Sequence, residues 1–122
     1  MSPYSRVLRK GEDNSLFFWC PGCDMAHRIK HGAGDGPRWG WNGSADKPTF
    51  TPSVLVTWDQ WVPPATTPEV SAKIKAGEIV QTKEPRVCHS FVTDGRIQFL
   101  SDCTHHLAGQ TVDLPDFEKE WE

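Results

Sequence analysis

No stretch of the 122-residue chain approaches the ~20 consecutive apolar residues that cross a bilayer. No segment masses basic residues either: thirteen Lys and Arg are scattered against sixteen Asp and Glu. With a formal charge of -3 and a pI near 5.9, the chain has no electrostatic footprint for a nucleic-acid backbone. Neither a membrane nor a nucleic acid is therefore expected as a partner. The N-terminal MSPYSRVLRKGEDNS lacks the apolar centre of a secretory signal, which predicts a cytoplasmic protein. Internal repeats and heptads are missing too. A single domain over residues 1–122 is expected, with a core modest enough that a metal would add to its stability.

The chain is rich in punctuation, with ten Gly, ten Pro and six Trp, which suits short strands and turns better than long helices. Residues 5–10 and the apolar run LFFWC (16–20) read as strands, and AHRIKH (26–31) reads as the return of a hairpin. In RWGWNG, Trp39 and Trp41 fall on one side of an extended segment and are expected to wall the core. PTFTPSVLVTW becomes strand-like from Ser53, its prolines marking an edge or a strand start. Residues 59–86 read as a proline-rich, partly mobile insertion with one short helix, Thr67 as its N-cap, Pro68 at its first position and Gly77 after its end. SFVTDGRIQFL is the clearest hairpin, turning at Asp94-Gly95, and the tail offers one more short strand and an acidic end. The expected fold is a small, mainly β antiparallel domain with one short helix.

In a reducing compartment four cysteines point to metal more than to disulfides. Cys20-Pro21-Gly22-Cys23 has the spacing of a zinc knuckle, and nothing helical follows it as a thioredoxin-like redox pair would require. If Asp94-Gly95 is a two-residue loop, Cys88 faces Ser101, and Cys103 lies diagonally on the same face ~7–8 Å away, completing a Cys20, Cys23, Cys88, Cys103 site for a structural zinc ion. The alternative keeps Cys20 and Cys23 and adds His27 or His105. Successive strand side chains point to opposite faces, so a Cys88 on the metal sends His89 elsewhere.

FWCPGC, WNGSADKPTFTPSVLV and VCHSFVTDGRIQFLSDCTH resemble a phage family of small uncharacterised proteins sometimes labelled ammonia monooxygenase. That label has no physical support, since the chain has neither a membrane span nor a copper-type histidine cluster. A sparser pattern resembles the BubE-like serine peptidases of bacterial ubiquitin-like conjugation operons. It comprises Cys20 and Cys23, Pro52-Ser53-Val54, His89 with Gly95 six positions later, and a cysteine after the last hairpin strand. The resemblance implies a peptidase that processes or deconjugates a ubiquitin-like protein, in the bacterial host cytosol if phage-encoded, with Ser53 as nucleophile and His89 as base. Asp102, Asp46 and Asp94 are the candidates for the orienting acid. The insertion at 59–86 and the eight positions from Gly95 to Cys103 depart from the pattern, and His105 could replace His89 as base or join the metal. Two other readings are a non-enzymatic phage protein-binding module using the Trp-rich face and the insertion, and a zinc-dependent hydrolase using His27, His89 and His105.

Overall fold

Alternation along SLFFWC sends Leu16, Phe18 and Cys20 to one side, and all three are buried in the computed structural model, which describes residues 2–117. They belong to a four-stranded antiparallel sheet whose strands lie in chain order: β1 (Ser2–Pro3), β2 (Leu8–Lys10), β3 (Ser15–Cys20) and β4 (Met25–Lys30). The strand expected over 5–10 starts only at Leu8. Ser5 Oγ accepts from the backbone N–H groups of Val7 and Leu8, at 3.2 and 3.0 Å, and holds the preceding residues in a turn. After β4, Arg38 bonds to the carboxylate of Asp13 at 3.1 Å and to its carbonyl oxygen at 3.2 Å, tying down the Gly-rich loop that delivers Trp39. Lys30, and then Arg38, hold the Asp13 carboxyl below its ordinary pKa.

The second sheet has five strands, again in chain order: β5 (Gly40–Trp41), β6 (Phe50–Val62), β7 (Thr82–Thr93), β8 (Arg96–Phe99) and β9 (Thr111–Asp113). Strand β6 starts at Phe50, earlier than the prolines implied, because the register with β7 slips between Phe50 and Val54 and so accommodates Pro52. From Val54 the ladder is regular out to Val62 opposite Thr82, so residues 59–62 and 82–86 of the insertion form a two-stranded ribbon. Pro85 fits because it stands opposite Asp59 two residues from Val87, whose N–H and C=O point away from β6 toward Thr104; the missing N–H of Pro85 falls on that same outer side. Helix α1 (Pro68–Lys75) lies between β6 and β7 with Thr67 Oγ1 capping the Val70 N–H at 3.2 Å, and it buries no residue.

Asp94 and Gly95 have φ of 50° and 76°, as a two-residue hairpin loop requires, with Thr93 opposite Arg96. The inner faces share one core: Leu8, Leu16, Phe18 and Ile29 meet Phe50, Val54, Val92, Ile97 and Phe99. Phe18 stacks on Phe50 across the sheets, 6.1 Å between ring centroids. Trp39 and Trp41 pack against this core. The mainly β class with one short helix is the one expected. The acidic end of the tail lies outside the described residues, and no helix among those described is long and apolar enough to cross a membrane.

Candidate active site and metal cluster

Cys20 closes β3, and in the turn that follows the N–H of Cys23 points at Cys20 Sγ from 3.4 Å. Cys88, on the inner face of β7, places its Sγ 3.7 Å from that of Cys20. His105, in the turns after β8, lies over Gly22, where a Cβ would collide with the imidazole. The ligand atoms of Cys20, Cys23, Cys88 and His105 all lie within 4.8 Å of one another.

Three observations fit this group to a metal ion. Sulfurs bound tetrahedrally to zinc at ~2.3 Å stand ~3.8 Å apart, which the Cys20–Cys88 separation of 3.7 Å approaches. His105 Nε2 is buried with no hydrogen-bond partner among the described residues. The thiols also cannot all ionise: hydrogen bonds from Cys23 and then Cys88 drive the Cys20 thiol far down, while donating to Cys20 pushes Cys23 up to about 12 and Cys88 far up. A divalent cation would displace the thiol protons that remain and offset the repulsion among the crowded thiolates. Burial lowers the pKa of His105, favouring the neutral imidazole that ligates metals. An ion on Nε2 would move the ring proton to Nδ1 and forfeit the 3.2 Å contact from the Leu107 N–H, a cost of ~1 kcal/mol, small beside a metal bond.

The four-thiolate set anticipated from the hairpin register is not what the fold gathers: His105 takes the place of Cys103. The register is the anticipated one as far as Ser90 opposite Phe99, and Leu100 still donates to the His89 carbonyl at 2.9 Å. A turn then intervenes, with the Cys103 N–H bonded to Leu100 O at 3.2 Å, before Thr104 rejoins at Val87 O. Cys103 consequently stops level with His89. Its Sγ accepts from the His89 N–H at 3.3 Å and donates to the His89 carbonyl at 3.2 Å. His27 lies edge-on against Phe18, 5.6 Å between centroids, outside the four-residue set.

The opposite face of β6 and β7 carries different chemistry. Leu55 stands opposite His89, and Ser53 is one side-chain repeat earlier on the same face. Ser53 Oγ lies 2.8 Å from His89 Nε2, and His89 Nδ1 lies 3.1 Å from Asp102 Oδ2. An ionised carboxylate only accepts, so the proton belongs on Nδ1, and Nε2 is left to accept from the serine hydroxyl. The His89 and Asp102 side chains are 25% and 55% exposed, so the group is open to solvent. Backbone bonds to Leu100 and Cys103 hold the His89 main chain, and the Trp39 indole N–H holds the Ser53 carbonyl at 3.0 Å.

Asp46 and Asp94, the other acid candidates, lie together in a depression at the far hairpin turn with Arg6 and Lys47. His27, His89 and His105 are not gathered: His89 turns to Ser53 and His105 to the thiols. The clamp of Cys103 and the bond from Trp39 had no signature in the sequence, since each depends on a main-chain partner brought near only by folding.

A hydroxyl, an imidazole and a carboxylate in series on the open face of a β protein have the arrangement of a serine hydrolase. The family described as bacterial ubiquitination-like system serine protease (BubE) matches residues 2–100, and the chain belongs to that family. No curated protein matches the chain, and no solved structure does.

Proposed function

We propose that this protein is a serine peptidase that processes or deconjugates a ubiquitin-like protein, with Ser53 as nucleophile, His89 as general base and Asp102 as the residue that orients His89. The 2.8 Å contact between Ser53 Oγ and His89 Nε2 carries this reading, and the family match supports it. As Ser53 Oγ attacks the scissile carbonyl, its proton passes to His89 Nε2. The tetrahedral adduct collapses, the proton moves on to the leaving amine, and the C–N bond breaks to leave an ester on Ser53. Water attacks that ester as His89 takes its proton, and Ser53 recovers the proton when the acid departs. Asp102 holds the reactive tautomer and stabilises the transient imidazolium. A fluorophosphonate probe tests the assignment: it should label the wild-type protein and leave Ser53→Ala unlabelled. Equal labelling of both would remove Ser53 from the chemistry and favour a binding module.

The same reading gives the protein a structural zinc ion held by Cys20, Cys23, Cys88 and His105. A Cys₃His set leaves no open position for water, so the ion would supply cross-linking rather than Lewis-acid chemistry. His105→Ala should lose bound zinc, whereas Cys103→Ala should retain one ion per chain by elemental analysis. The reverse result would restore the four-thiolate set. The domain is read as a single unit over 1–122, and its working partner as a protein substrate.

A further inference from the structure

Strand β5 covers β6 only at Phe50 and Thr51. From Val54 onward, no strand among the described residues lies on the side of β6 away from β7. Which backbone groups face that open side follows from their neighbours. Ser53 faces it, because its carbonyl oxygen accepts from Trp39 on the β5 side. On β7, His89 and Val87 turn N–H and C=O away from β6, toward residues 100–104. Their cross-strand partners Leu55 and Thr57 must therefore turn theirs to the open edge. No hydrogen bond of the described residues engages the N–H or C=O of Leu55 or Thr57 beyond the sheet. The Leu55 side chain, on the face of Ser53, is 55% exposed.

We propose that this edge receives the extended C-terminal tail of a protein substrate as an added β-strand that leads into Ser53; the inference rests on the peptidase reading above. An open edge next to a nucleophile supplies main-chain donors and acceptors matched to an extended peptide, and little else. The direction is set by the chemistry. A tail whose carbonyl reaches Ser53 and whose preceding residues lie along Leu55 and Thr57 runs opposite to β6, in the antiparallel sense. Reaching from Ser53 to Thr57 takes four residues at ~3.4 Å each, so about 14 Å of chain must stand clear of the substrate's folded body. Main-chain pairing tolerates many sequences, and Leu55 adds an apolar contact for one side chain of the tail.

The test is a set of blocked tetrapeptide p-nitrophenyl esters, N-methylated at one amide at a time. In an added strand only alternate N–H groups face β6, so kcat/KM should fall about tenfold for methylation at those positions and stay unchanged at their neighbours, the equivalent of ~1.4 kcal/mol per pairing lost. Thr57→Pro removes the bond from the protein side without touching the β6/β7 ladder, and should lower kcat/KM for the unmethylated ester about tenfold while the melting curve keeps its single transition. Uniform sensitivity to methylation, or an unchanged kcat/KM in Thr57→Pro, overturns the proposal. So does a concentration-dependent dimer that Thr57→Pro dissolves, since a second copy would then occupy the edge. If Ser53 proves unreactive, the peptidase reading fails separately. Calorimetric titration of the same peptides as free acids still decides the strand, by alternating or uniform Kd.

Discussion

His89→Ala is expected to lose turnover by about 10⁴-fold or more while the protein stays folded and keeps any metal bound at the thiol cluster. The imidazole makes the bond to the Ser53 hydroxyl, and without it the hydroxyl has no base within reach. Little of the fold depends on that ring. It lies on the outer face of β7, and the bonds that fix residue 89 in the sheet come from its main chain, to Leu100 and to Cys103 Sγ. Groups that act as a unit are non-additive, so adding Ser53→Ala to His89→Ala should cost almost nothing more. Steady-state hydrolysis and a thermal melt on the same samples check both halves. Retained turnover would assign the base elsewhere, and a collapsed melt would make His89 a structural residue.

The second large effect concerns the cluster. Cys20 is fully buried at the end of β3, and its sulfur meets that of Cys88 on β7, so an ion there ties the first sheet to the second. Cys20→Ser, or a strong chelator at neutral pH, is expected to release the metal and destabilise the domain by roughly 3–5 kcal/mol, lowering Tm by about 10–20 °C. Activity should fall only as the fold is lost. A protein that lost metal and activity together but kept its melting temperature would have a catalytic ion, and one that kept its metal and its stability in Cys20→Ser would have no ligand at Cys20. A structural role for an ion at this cluster would have a simple origin. A 122-residue chain spread over two small sheets buries a limited core, and a cross-link between the sheets adds stability that apolar area does not.

Local signals were legible where the physics is local. The apolar run at 16–20, the Asp94-Gly95 turn with positive φ at both residues, and the Thr67 cap all depend on side chains a few positions apart. So does the pleat that sends Cys88 to the thiols and His89 to the other face. The ribbon built from the ends of the insertion was not legible. Pro85 reads as a strand breaker until a partner strand shows that its missing N–H faces outward.

Taken alone, the amino-acid sequence determined the β class, the thiol pair of the knuckle and the separation of positions 88 and 89 onto opposite faces, because alternation and turn chemistry act within a few residues. Tertiary structure alone decided that His105 rather than Cys103 joins the thiols, that Asp102 rather than Asp46 or Asp94 meets His89, and that the edge beyond Ser53 stays open. Those outcomes turn on one four-residue turn after β8 and on which strands lie beside β6. Distances between remote parts of a chain are set by packing, which no local pattern encodes.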